Sequence, residues 1–140
     1  MVPNSTMRDF LPLLVLSVLI ALALAGYVWW AVRSRARVPA HARRQLRQAW
    51  QHAASLADPV RRVLEAEKVA DRLLAELGFR GSFGEKLTAA GARFGNVEPV
   101  WQAHKLRNHL AHEPGATIGE KEAARALSAF ERLLAPFLGK

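Results

Sequence analysis

The chain has 140 residues, 51% of them hydrophobic, with 20 Lys+Arg against 12 Asp+Glu and no cysteine. That length holds one modest domain. The lack of cysteine excludes structural disulfides, thiolate nucleophiles and zinc sites built on cysteine. Charge is unevenly placed: residues 1–32 hold only Arg8 and Asp9, residues 33–62 carry eight arginines against Asp58, and residues 63–140 carry eleven bases against ten acids.

Residues 1–9 form a short N-terminal tail. Phe10 to Val32 is an uncharged, nearly continuous apolar run of 23 residues, which as a helix extends about 34 Å and crosses a hydrocarbon core of about 30 Å with some tilt. Pro12 falls in its first turn, and Tyr27, Trp29 and Trp30 stand where an interfacial aromatic belt belongs. Arg33, Arg35 and Arg37 follow in a basic juxtamembrane linker, residues 33–38. By the positive-inside rule they place the N-terminus outside and the C-terminal part in the cytoplasm, as a single-pass protein of the inner, or cytoplasmic, membrane. With Arg43 and Arg44 they also suit anionic lipid. The competing reading is a cleaved signal peptide, since Ala23-Leu24-Ala25 before Gly26 has the small-x-small pattern. Against it stand the single n-region arginine, an apolar run that continues past the cut, and the dense arginines beyond.

Residues 39–140 show apolar positions at three- and four-residue spacing and no alternating strand pattern, so the expected fold is all-α: one N-terminal transmembrane helix followed by a bundle of four or five helices. A first bundle helix is expected from about Pro39 to Leu56, with Leu46, Trp50 and Ala53 on one side. Asp58-Pro59 supplies an N-cap and an N1 proline for the next helix, whose wide apolar stripe ends at Gly78. Ser82 with Glu85 makes a capping box for a short helix with a thin apolar face, closed by Gly95-Asn96. Another helix starts near Glu98-Pro99 and stops at Glu113-Pro114-Gly115. Thr117 with Glu120 reads as a second capping box for the last helix, which is expected to turn Ala123, Ala124, Leu127, Phe130, Leu133, Leu134 and Phe137 to the bundle.

Residues 101–114 are chemically unusual. Three of the five histidines, His104, His109 and His112, lie within nine positions beside Lys105, Arg107 and Asn108. On a helix His104, Asn108 and His112 share a face, whereas Arg107 and His112, five apart, meet only with help from the helix end or a partner chain. Histidines at i and i+4 can bind zinc, but a third ligand is lacking, because Glu113 points elsewhere around the helix. No metal and no cofactor are expected. Trp101 reads as a core anchor.

Arg107-Asn108-His109-Leu110-Ala111-His112 resembles the signature of the HEPN superfamily. Its all-α domains carry an arginine followed four to six residues later by histidine, often with Asn, Asp or His directly after the arginine. The resemblance spans roughly residues 40–140, and the motif ends the helix before the last one. It implies a metal-independent endoribonuclease acting as a homodimer, with Arg107 and His112 as the active pair and Asn108 orienting them. His104, Lys105 and His109 would then assist RNA contact. The chemistry is sound: imidazole can move protons at the RNA 2′-OH and the leaving oxygen, while arginine holds the phosphate. Arg-Asn-x3-His at a helix C-terminus also serves as capping and dipole chemistry. The competing function is therefore a non-catalytic, membrane-tethered helical interaction module. A third reading is a lipid-surface or nucleic-acid tether built on the cluster from Arg33 to Arg47.

Overall fold

A computed structural model of the chain describes residues 5–34 and 38–139, with side chains described for residues 12–29 and 38–139. Residues 1–4 of the expected tail, Arg35 and Arg37, and the side chains of Arg33, Phe10 and Trp30 lie outside the described residues. The described residues form six α-helices and no strand: α1 (Ser5–Ser34), α2 (Ala40–Ser55), α3 (Pro59–Glu76), α4 (Phe83–Phe94), α5 (Glu98–His112) and α6 (Glu120–Leu138). They divide into two compact units, one holding α1 and the other α2–α6.

The 30-residue α1 is about 45 Å long at 1.5 Å per residue. Its stretch Pro12–Trp29 has a mean hydropathy of 2.2, and none of those residues is buried. A helix with that much exposed apolar surface cannot sit bare in water. By length and composition it can cross a membrane, and a signal segment has the same length and composition.

The second unit is a five-helix bundle around α3 and α6. α3 contributes Val63, Ala66, Val69, Ala70, Leu73 and Leu74 to the core, and α6 contributes Ala123, Ala126, Ala129, Phe130, Leu133, Leu134 and Leu138. α2 touches only α3 and α6, whereas α5 touches α3, α4 and α6, and α2 and α5 do not touch each other. The two therefore flank the α3–α6 pair on opposite sides. Val38, which the sequence places in the linker, is buried in the core with Ala42 and Leu46 of α2.

The helix ends follow local chemistry. Asp58 caps α3, its carboxylate accepting from the Val60 amide at 2.9 Å, with Pro59 in the first turn. At the other end Phe79 N–H donates to the Leu74 carbonyl and Gly78 N–H to that of Ala75, both at 3.0 Å. This closure needs the left-handed backbone of Gly78, φ +93°. The Ser82–Glu85 capping box forms in both directions. The three hydrogens it satisfies, those of the Ser82 and Glu85 amides and of the Ser82 hydroxyl, help a helix of 12 residues with only Phe83, Leu87, Ala90 and the Lys86 stem buried to hold its place.

The start of α6 departs from expectation. Gly119 is its N-cap with no side-chain cap, and Glu120 is its first residue. Instead of reaching back to Thr117, the Glu120 carboxylate takes both oxygens to Arg62 Nη2 of α3, at 2.6 and 2.7 Å. With Gly119 as the N-cap, Glu120 stands at the first helical position and not at the third, so the Thr117–Glu120 box does not form.

Candidate functional site

The polar centre of the bundle lies where α5 crosses α3. Val63, Ala70 and Leu74 mark the inward stripe of α3, and Glu67 occupies the turn between Val63 and Ala70, so its carboxylate goes inside, only 4% exposed. Two residues of α5 answer it, and a third links those two. His104 Nδ1 lies 2.7 Å from Glu67 Oε2. Arg107 Nε lies 2.9 Å from Glu67 Oε1, an ion pair whose N–H is not aimed as a hydrogen bond. Arg107 Nη1 donates to Asn108 Oδ1 at 3.2 Å, and Asn108 Nδ2 lies 3.1 Å from His104 Nε2.

These contacts close a ring that assigns its own protons. Arginine can only donate, so Asn108 Oδ1 is the acceptor and its amide group faces His104 as donor. His104 Nε2 must then accept, Nδ1 carries the hydrogen, and that hydrogen goes to Glu67. Both nitrogens of the imidazole are engaged in this arrangement. Burial pushes the Glu67 carboxyl above its ordinary 4.5. The hydrogen bond and charge of His104 and the charge of Arg107 pull it down, and Asp71 on the next turn of α3 pushes it up.

Aromatic and small residues shape the wall. The Phe83 ring sits 5.1 Å from the His104 ring and Trp101 5.7 Å from it, centroid to centroid. Gly84 lets α4 come close: a Cβ there would stand 3.3 Å from the Trp101 ring and 3.8 Å from His104 Nε2. Lys86 of α4, 8% exposed, donates to Asp71 of α3 at 2.8 Å and fastens that wall. Trp101 is half-buried against the core, as expected of an anchor.

The C-terminal turn of α5 is different. His109 and Glu113 pair at the surface, 2.6 Å apart and both more than half exposed. Lys105 and His112 are exposed, and neither makes a side-chain hydrogen bond or ion pair among the described residues. The bundle thus brings together Arg107, Asn108 and His104, adds Glu67, and leaves His112 outside the ring. Glu113 pairs with His109 and not with an arginine. Among the described residues no three His, Asp or Glu side chains are grouped to hold a metal ion.

Glu67 is the site residue missed by reading the sequence. Its signal was present: a carboxylate four residues after Val63 and three before Ala70 stands on a stripe otherwise made of apolar side chains, where a charge needs a partner. Comparison with protein-family models, with curated proteins and with solved structures finds no match to this chain.

Proposed function

We propose that the chain is a membrane-tethered helical module of the HEPN kind, with α1 spanning the membrane and α2–α6 in the cytoplasm. In this reading two copies join their α5 ends to make a metal-independent endoribonuclease. The observation that carries it is the contrast along α5: Arg107 and Asn108 are held in fixed orientation by Glu67 and His104, while the imidazole of His112 in the last turn is exposed and free. A free imidazole and a pre-oriented guanidinium, brought together by the second copy, suit phosphodiester chemistry. His112 of one copy would take the 2′-OH proton as the 2′ oxygen attacks phosphorus. The departing 5′ oxygen would take a proton from the second copy's His112, and Arg107 would hold the phosphate charge. Lys105 and His109, both exposed, are the RNA contacts in this reading, and His104 serves the ring.

The test is cleavage of varied RNAs by the full chain in detergent with EDTA present, beside Arg107→Ala and His112→Ala proteins of unchanged helicity. Cleavage leaving 2′,3′-cyclic phosphate ends, lost in both variants, is the expected result. A folded, dimeric but inert wild-type protein overturns it.

The second reading is the non-catalytic interaction module. It is favoured by the closure of the ring itself, because Arg107 and Asn108 fasten α5 to α3 through Glu67 whether or not RNA is ever bound. Under it, His112→Ala changes nothing, while Arg107→Ala lowers the melting temperature.

A further inference from the structure

We propose that the outer face of α2 docks on the anionic cytoplasmic surface of the membrane that α1 enters, leaving α5 turned away from the lipid. This does not depend on ribonuclease activity.

α2 is the acid-free helix of the bundle. Its 16 residues include Arg43, Arg44, Arg47, His41, His52 and three glutamines and no Asp or Glu, whereas each of α3 to α6 carries at least one acid. The bases are differently employed. Arg47 is half-buried and donates to the Leu138 carbonyl, which ties α2 to the end of α6. Arg43 reaches the Val38 carbonyl at 3.3 Å yet stays exposed. Arg44, His41 and Gln48 are exposed with no ionic partner among the described residues. Ala40, Arg43, Arg44, Arg47 and Gln48 line a recess of about 310 Å³, enough for the phosphate end of a headgroup.

Two further observations select the occupant. First, Val38 follows Ser34, the end of α1, by four residues, so the bases of α2 are covalently tethered to the apolar helix that the proposed function puts in the membrane. Attraction between exposed charges is screened beyond about 8 Å at physiological salt, so docking of this kind is salt-sensitive. Second, α2 lies across the α3–α6 pair from α5 and does not touch it. These cations are therefore remote from Arg107 and His112 and cannot serve a phosphate bound there. Anionic lipid beside the span fits both observations, and a nucleic acid threaded to α5 fits neither.

The chain has no cysteine, so single introduced cysteines report position cleanly. The full chain is reconstituted in nanodiscs of phosphatidylcholine alone or with phosphatidylglycerol, carrying an environment-sensitive dye at Gln48→Cys on α2 or at Gln102→Cys on α5. The expected result is dye protection from aqueous quencher at Gln48→Cys in anionic discs only, reversed by salt, with Gln102→Cys open to quencher in both. Each basic side chain near such a surface raises the docked population about fivefold, so Arg43→Gln with Arg44→Gln lowers it about thirtyfold. Circular dichroism checks that the double variant is folded, and Arg44→Gln alone, which removes no intramolecular bond, is expected to lower it about fivefold. Equal protection in both lipids, protection at Gln102→Cys instead, or protection at Gln48→Cys that appears only when RNA is added overturns the proposal.

Discussion

The two faces of α5 carry the same kinds of side chain in very different circumstances. On the inner face His104, Arg107 and Asn108 meet a buried carboxylate, and every ring nitrogen and amide atom among them has a partner. On the outer face His109 holds only an exposed partner, Glu113, and Lys105 and His112 hold none among the described residues. The inner set is paired in low-dielectric surroundings and gains strength from that, but both imidazole nitrogens of His104 are spent. The outer set contributes little to folding and keeps the Lys105 ammonium and the His112 imidazole for a ligand. A histidine's place in a motif therefore says less about its chemistry than the solvent around it does.

Substitutions can break this contrast, and the largest effect belongs to Glu67. Removing it as Glu67→Ala leaves His104 and Arg107 facing an unfilled, partly buried space, and urea denaturation of the bundle, residues 38–140, is expected to show a loss of about 3 kcal/mol. Its titration gives an independent check. Because burial holds the carboxyl above 4.5, the folded bundle keeps this proton at pH values where the unfolded chain has released it. The stability that comes from the protonated form is full below 4.5 and is lost as the pH rises through the raised value. Glu67→Gln, which does not titrate, is expected to flatten that part of the pH profile; an unchanged profile would show that the slope comes from other groups.

Asn108→Ala comes next. It removes the link between Arg107 and His104 without stranding a full charge, so a loss of about 1 to 2 kcal/mol is expected by the same denaturation. His109→Ala removes one exposed i,i+4 pair and is expected to cost no more than about 0.5 kcal/mol. The smallest effect on stability is that of His112→Ala, within about 0.5 kcal/mol of zero. That value matters for the proposed nuclease: if His112→Ala abolishes RNA cleavage at unchanged stability, the outer face is functional, whereas a marked drop in melting temperature would place His112 with the inner set.

Much of the helical layout could be read from residues close together in the chain. The N-cap at Asp58, the capping box at Ser82 and Glu85, the stop at Glu113-Pro114 and the closure at Gly78 are contacts over five residues or fewer, so their energetics are local and periodicity exposes them. The Thr117–Glu120 box has the same local signature and does not form: the helix starts only at Glu120, whose carboxylate pairs with Arg62, 58 positions away. The Arg-Asn-x3-His motif was visible too, but its division into a held pair and a free histidine was not.

The sequence by itself determined the apolar run at the N-terminus, the basic cluster behind it, the all-helical character and most helix ends, since each depends on side chains within a turn or two of one another or on composition alone. Only the tertiary structure decided that Glu67 meets His104 across 37 positions, that Arg107 is engaged while His112 is exposed, and that α2 and α5 lie on opposite sides of the α3–α6 pair. Those outcomes depend on which helix faces enclose the core. Burial, which sets the strength of every charge contact in this bundle, exists only once distant segments have packed.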